Sequence, residues 1–353
     1  MVKKMEKTDV AILGATGTVG QQFLRLLVKH PMLNVVEIAA SERSEGKRMS
    51  DVKWLAEGEM PEEYKDMKIR NALDHLEAKI VFSALPPEAA EKAEMKHAKD
   101  GKLVISKAKT NRMFDDIPLI IPEVNPEHLE LVNIQRKNRN YKGAIITDPN
   151  CSTIGMTLGL KPVMDSVGIE EVVVTTMQAL SGAGHPGVPS TEIMGNVIPF
   201  IGGEEGKMQT EPLKILGKME NGKIKQADMK ISASCTRVPV IDGHLESIYV
   251  KTRECADLEK IKNAMRAFSG MPQKMKLPSA PKHPVVLIEE ENRPQPKKDR
   301  MTGNGMAATV GRFRNGNDRK SFCFFLLSHN TVRGAAGAGI LDAELILKMG
   351  GIV

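Results

Sequence analysis

Five short apolar runs recur through residues 1–150 and alternate with segments of helical period: VAIL from Val10, VVEIAA from Val35, IVFSAL from Ile80, LVIS from Leu103 and AIIT from Ala144. Short, nearly continuous apolar runs are strands buried on both faces, and helix-length connections between them make neighbouring strands parallel. Residues 1–150, joined by the closing stretch 330–353, are therefore expected to form a Rossmann-type α/β domain with ligands at the carboxyl ends of its strands.

The pattern changes at Cys151. A helix-like segment to Val167 is followed by the longer runs EEVVVTTMQAL, ISASCTRVPV, HLESIYVKT, MAATVGRFR and SFCFFLLS. Residues 151–329 read as an α+β domain with a mostly antiparallel sheet and helices on one face. Leu277 to Gly305, rich in Pro, Lys and Glu, reads as an irregular surface excursion. The ending HNTVRGAAGAGILDAELILKM reads as a closely packed helix that returns to the first domain.

A length of 353 residues suits two domains. No uncharged stretch is long enough to span a bilayer, and MVKKMEKTDV lacks the apolar core of a signal peptide, so a cytoplasmic location is expected. The net charge of +6 is spread among interspersed acids, and aromatic residues make up only 4%, which argues against nucleic acid as a partner. The four cysteines, Cys151, Cys235, Cys255 and Cys323, lack both disulfide-scaffold density and zinc-site spacing, so no metal is expected.

VAILGATGTVGQQFLRLL puts Gly14, Gly17 and Gly20 between a buried strand and an amphipathic helix. There the backbone, with Thr16, Thr18 and Val19, can approach a pyrophosphate at the helix amino end; the alternative is a plain tight turn. The second strand ends in AASERSEGKR, with Ser41, Arg43 and Ser44 where an acid would hold the ribose hydroxyls of NAD. Hydroxyl and guanidinium groups suit a 2′-phosphate, so NADP is the expected cofactor, against a merely solvated turn.

Cys151 follows Asp148-Pro149-Asn150 and opens a helix-like stretch, where the helix dipole favours a thiolate. Cys235 and Cys323 lie in strand-like runs and Cys255 among charges, as structural or exposed bystanders. A base for the thiol is sought in His244, seven residues after Arg237, with Asp242-Gly243 as a turn that can bring both into one pocket. A hairpin carrying a surface arginine and histidine is the alternative.

Taken together, GATGTVG, DPNCSTIG, TTMQALSGAG, EEGK from Glu204, RVPVIDGH and HNTVRGAAG resemble the aspartate-semialdehyde dehydrogenase family, in its archaeal and fungal branch, nearly end to end. The resemblance implies that the second domain is catalytic and dimerising, and that the chain is a homodimer or homotetramer. It implies an NADP-linked, reversible interconversion of aspartyl 4-phosphate and aspartate semialdehyde, within lysine, threonine, methionine and isoleucine biosynthesis. In it Cys151 is the acylated nucleophile, His244 the acid/base, and Gln178 the orienter of the acyl group. Arg237 grips the substrate carboxylate, Glu204 its amino group, and Lys207 and Arg112 the phosphate. Asn150 and helix-start N–H groups are expected to hold the oxyanion. Ser83, Ser181, Gly182 and Asn330 join the cofactor contacts. Spacing to Lys207 favours Glu204 over Glu205, with helix capping as the alternative for either.

VISKAKTNRM departs from the pattern, with Lys107 and Lys109 where the family usually has Asn and Ser. Both are expected to border phosphate and cofactor, either adding affinity or obstructing it. A malonyl-CoA reductase on the same scaffold is the rival enzyme, with Asn150 beside Cys151 favouring the semialdehyde enzyme. N-acetyl-glutamyl-phosphate reductase lacks support because its HPG-Cys segment is absent. A non-catalytic dinucleotide sensor is disfavoured by the joint presence of Cys151, Gln178, Arg237 and His244.

Overall fold

In the computed structural model, which describes residues 7–351, the run at Val10 becomes β1 (Thr8–Leu13). It is joined by β2 (Leu33–Ala40), β3 (Ile69–Asn71), β4 (Ile80–Ser83), β5 (Leu103–Ser106) and β6 (Ala144–Thr147). All pair in parallel, in the order β3-β2-β1-β4-β5-β6. Strand order reverses between β1 and β4, which opens a crevice beyond their carboxyl ends. Leu13 is in register with both Ala39 and Ser83, so the loops after β1, β2 and β4 emerge at one edge.

The helices of this part are α1 (Thr18–Leu27), a short α2 (Glu62–Lys65), α3 (Pro87–Lys99) and α4 (Leu131–Arg139). In α1, Gly20, Phe23, Leu24 and Leu27 recur at helical spacing and turn inward. Phe23 stacks on Phe82 of β4 with ring centroids 4.6 Å apart.

The remaining elements are α5 (Cys151–Val167), β7 (Ile169–Gln178), α6 (Ser190–Ile193), α7 (Glu204–Ile215), a small ribbon of β8 (Lys218–Glu220) and β9 (Lys223–Lys225), β10 (Lys230–Arg237), β11 (His244–Thr252), α8 (Leu258–Ala267), α9 (Met271–Lys274), β12 (Val285–Ile288), α10 (Pro296–Asp299), β13 (Ala308–Asn315) and β14 (Ser321–Ser328). A second sheet runs β10-β7-β11-β14-β13-β12. Its three central pairings are antiparallel and its two edge pairings parallel. β11 alternates buried and partly buried residues, as expected of a strand with one face on the core. The buried helix α5 lies close to this sheet because Gly155 lacks a Cβ, which would overlap Ser328 Oγ. After β14 the chain returns to the first sheet as α11 (Gly337–Lys348), where a Cβ on Gly339 would meet the Phe23 ring at 3.1 Å.

The chain divides into two compact units, one made of residues up to Ile120, Glu127–Asp148 and from Ala335 onward, the other of Ile121–Pro126 and Pro149–Gly334. Ile121–Pro126 joins the second unit because Glu123 receives both Nη atoms of Arg333, at 3.0 and 2.6 Å, with neither side chain exposed. Among the described residues no helix is long and apolar enough to cross a membrane.

One expectation needs correction and one alternative falls away. The excursion at Leu277–Gly305 contains β12, which pairs parallel to β13 and forms a sheet edge, driven by the apolar VVLI that Pro and Lys neighbours obscured. The segment from Arg237 to His244 is no hairpin: β10 and β11 flank β7 on opposite sides, so the Asp242-Gly243 turn belongs to a connection that passes the end of β7.

The two unusual lysines part company. Lys109 is exposed at the start of a turn, whereas Lys107 is buried with its Nζ 3.1 Å from Asp148 Oδ2. Burial pushes the Lys107 ammonium below the usual lysine range, and Asp148 opposes that shift. The expectation that Lys107 borders phosphate is thus corrected, because its charge is committed to Asp148. Lys107→Asn should leave Asp148 buried without its cation and cost about 3–5 kcal/mol in urea unfolding. Adding Asp148→Asn should restore most of that loss; an unchanged midpoint in Lys107→Asn would refute the pairing.

Candidate active site

The glycine loop fits a dinucleotide phosphate. Gly14 has φ +75°, and a Cβ there would lie 2.6 Å from Ala84 O; one on Gly20 would overlap Gly14 O. Both glycines are thus required by close backbone approach. Gly17, the N-cap of α1, is exposed and contributes no side-chain cap, and Thr16, Thr18 and Val19 beside it are partly exposed. The amino end of α1 therefore presents backbone donors to an anion.

Next to β2, a cavity of about 320 Å³ is lined by Ser41, Glu42, Arg43, Asn71 and Lys92, among others. Ser44 ends the short turn Glu42–Ser44. Lys92 has no motif signal in the sequence and was not anticipated; it reaches this cavity from α3, the helix that joins β4 to β5. Glu42, which would repel a 2′-phosphate if its carboxylate turned inward, also lines this cavity. Ser83 is fully buried, with its carbonyl accepting from Lys107 N. Arg112 is largely buried and donates through Nη2 to Lys107 O at 2.8 Å.

In the second unit, Cys151 is the first residue of α5 and Asn150 its N-cap. Cys151 Sγ lies 3.3 Å from His244 Nε2 at the start of β11. The opposite ring nitrogen, Nδ1, accepts from Ala179 N at 3.0 Å. His244 is fully buried, and that burial, only partly opposed by Glu204, pushes its pKa down to about 3. Arg237 ends β10 in register with Gln178 and donates through Nη1 to Ala179 O at 2.6 Å. A Cβ on Gly182 would stand 2.9 Å from Arg237 Nη1 and 3.0 Å from His244 Cε1. Only glycine at this position lets the guanidinium and imidazole converge.

Glu204, in the first turn of α7, accepts from Asn150 Nδ2 at 2.8 Å and Gln178 Nε2 at 3.2 Å, and pairs through Oε2 with Lys207 Nζ. Burial would raise its pKa, but Lys207, Asn150 and Gln178 outweigh it and hold the carboxyl below its ordinary range. Glu205 points elsewhere and accepts from Cys235 N, while the N-cap is Gly203. Glu211, one heptad after Glu204 on the same helix face, accepts from Asn150 N at 2.7 Å. That spacing was visible in the sequence and was missed.

The Asn150 side chain also accepts from Ser152 N and Thr153 N at 3.0 and 3.2 Å. Two of the helix-start donors expected to hold an oxyanion are therefore engaged by the cap. Asn330 accepts from Gly243 N and donates to Ser181 Oγ, at 2.9 and 2.8 Å, which ties three separate segments together. A Cβ on Gly334 would lie 2.6 Å from Cys151 Cβ, so that glycine too is set by a close neighbour. Of the other cysteines, Cys235 is buried, and burial pushes its thiol up to about 11; Cys255 is exposed and Cys323 partly so.

A family model described as "Semialdehyde dehydrogenase, NAD binding domain" matches residues 9–132, and one described as "Semialdehyde dehydrogenase, dimerisation domain" matches residues 160–333. The aspartate-semialdehyde dehydrogenase of Methanothermobacter thermautotrophicus is 49% identical, over 96% of this chain and 98% of its own. The chain belongs to the aspartate-semialdehyde dehydrogenase family. A crystal structure of the Candida albicans enzyme with NADP superposes with a TM-score of 0.90 at 38% identity, covering 97% of this chain and 99% of that one. A malonyl CoA reductase (NADP) of Metallosphaera sedula is 39% identical over 96% of this chain and 97% of its own. Family membership makes the chain an oxidoreductase acting on an aldehyde.

Proposed function

We propose that the chain is an NADP-dependent, phosphorylating aspartate-semialdehyde dehydrogenase of the cytoplasm, working in the biosynthesis of lysine, threonine, methionine and isoleucine. It interconverts L-aspartyl 4-phosphate and L-aspartate 4-semialdehyde through a thioacyl group on Cys151. The observation that carries this reading is the convergence of Cys151, His244 and Arg237 beside the buried carboxylate of Glu204.

The sulfur attacks the acyl carbon, the bond to phosphate oxygen breaks, and the thioester remains on Cys151. NADP, when bound, supplies the hydride exchange with that acyl carbon. The loop from Gly14 to Gly20 holds its pyrophosphate, Arg43 with Ser41 and Lys92 its 2′-phosphate, and Ser181, Gly182 and Asn330 lie on the side of the reacting acyl group. Arg237 offers a planar fork to the substrate carboxylate, and Lys207 and Arg112 are assigned to phosphate. Gln178 orients the acyl group.

Glu204 supports one of the two enzyme readings over the other. Three donors occupy it, and a carboxylate has about four acceptor positions, which leaves one for a substrate ammonium. Malonate semialdehyde has no amino group and leaves that position unused, so the aspartyl substrate is favoured.

The outer face of the second sheet supports a homodimer, or a tetramer built from dimers. Val173, Tyr249 and Cys323 lie side by side across β7, β11 and β14, and Val173 is 42% exposed. A partly apolar sheet face of this kind is covered when two copies pack together.

Three measurements test these assignments. Formation of NADPH from aspartate semialdehyde, phosphate and NADP should be lost in Cys151→Ala, while NADP affinity in a calorimeter stays nearly that of the parent; residual turnover above a few percent would remove Cys151 from its role. Arg43→Ala should weaken NADP roughly tenfold more than NAD, the size of one charged hydrogen bond; equal losses would take Arg43 off the 2′-phosphate. Val173→Lys with Tyr249→Lys should sediment as a monomer, and an unchanged mass would place the subunit interface elsewhere.

A further inference from the structure

The N–H groups at the start of an α-helix need acceptors from outside its own ladder. In α5, Ser152 N and Thr153 N go to Asn150 Oδ1, and the N–H of Asn150 itself goes to Glu211 at 2.7 Å. In a capping box the N-cap amide is taken by a Glu or Gln three residues further along the same helix. Here that position is Thr153, whose hydroxyl faces Asn150 Oδ1 and Met208 Sδ at 3.5 and 3.7 Å. The acceptor comes instead from another helix, 61 residues downstream.

That helix turns one stripe toward α5. Glu204, Met208 and Glu211 are all buried and recur at helical spacing along α7. Seven residues span about 10.5 Å of helix. Glu204 and Glu211 nevertheless bind the same residue, one through the Asn150 side chain and the other through its main chain. The two carboxylates therefore reach toward each other across Met208 and hold Asn150 between them.

We propose that Glu211 is a positioning residue for Cys151: it completes the cap of α5 from α7, and so sets the nucleophile in register with Glu204 and Lys207, the groups on that same helix assigned to the substrate.

The inference deepens the proposed reaction and rests on it for the parts played by Cys151, Glu204 and Lys207. A capping box within α5 would fix the helix start only against itself. The cap from α7 fixes it against the helix that is assigned the substrate amino group and phosphate. Attack of the sulfur on the acyl carbon depends on that registry, because a misplacement of about 1 Å costs roughly 100-fold in rate. Loss of Glu211 strips this acceptor from a buried amide and favours rotation of the peptide that leads into Cys151.

Reach and charge are separated by substitution at the one position. Glu211→Gln keeps an acceptor at the same reach and should hold kcat for NADPH formation from aspartate semialdehyde within about fivefold of the parent. Glu211→Asp keeps the charge but draws the acceptor back by one methylene. It should lose kcat roughly 30-fold or more, as should Glu211→Ala. The Michaelis constant for NADP should stay within about twofold throughout. Each variant is assayed well below its own thermal midpoint, so that loss of fold does not count as loss of turnover. Parent-like turnover in Glu211→Ala or Glu211→Asp overturns the proposal, as does Glu211→Gln no more active than Glu211→Ala.

Proton–nitrogen NMR of the asparagine-labelled protein, free of substrate, tests the clamp apart from the chemistry. The Asn150 amide, 2.7 Å from a carboxylate oxygen, is a charge-assisted donor. Identified as the signal lost in Asn150→Ser, it should stand at the low-field edge of the asparagine amides and shift upfield in Glu211→Gln. A signal that keeps its place in Glu211→Gln removes Glu211 from the Asn150 amide. If Cys151→Ala retains turnover, the nucleophile reading fails instead, and this spectrum still decides whether α7 caps α5.

Discussion

The reaction face depends on how the first turn of α5 is closed. A helix start leaves backbone N–H groups without partners, and here one side chain resolves that while organising its surroundings. Asn150 Oδ1 takes the N–H groups of Ser152 and Thr153, its Nδ2 goes to Glu204, and its own N–H goes to Glu211. Cys151 is the next residue. Cys151 is therefore held by a cap that also binds two acids of α7, Glu204 and Glu211, and neither of these can move without disturbing the helix that carries the thiol.

This arrangement concentrates charge in a buried place, which is tolerable only if each charge has a partner. Glu204 has Lys207, Asn150 and Gln178, and these overcome the effect of burial so that its carboxyl stays ionised. Glu123 and Arg333 form a two-bond pair with neither side exposed, one residue before the Gly334 backbone that packs on Cys151. His244 follows the other course open to a buried base and remains neutral. The site thus combines firmly paired ions with one uncharged ring next to the sulfur.

What the sequence disclosed was whatever has a local signature. Apolar runs with helix-length spacing sufficed for five of the six parallel strands, leaving the short β3 unread, and the glycines after Val10 and the Asn150-Cys151 pair before a long helix marked the two loops on which the proposed function rests. Its silence has physical causes. Arg333 and Glu123 stand 210 residues apart, so nothing local marks the pair. Lys107 looked like an extra phosphate contact because lysines are usually solvated, and only the fold places Asp148 beside it. Ala179 acts through its main chain, which has no residue signature at all. Val285–Ile288 was readable as a strand, yet the Pro and Lys residues around it outweighed four apolar positions.

Glycines show the same logic in both units, and the reason is mostly steric. Gly14 combines a left-handed φ with a backbone carbonyl in the place of a Cβ, but Gly20, Gly182 and Gly334 have no such φ and are set by neighbours alone. At Gly20 the neighbour is the backbone of Gly14 and Ala15, at Gly334 Cys151, and at Gly182 the pair Arg237 and His244. A side chain at Gly182 would have to displace the guanidinium that donates to Ala179 O. The LSG segment therefore matters to the site through the space it leaves, which lets the Arg237 guanidinium and the His244 imidazole converge.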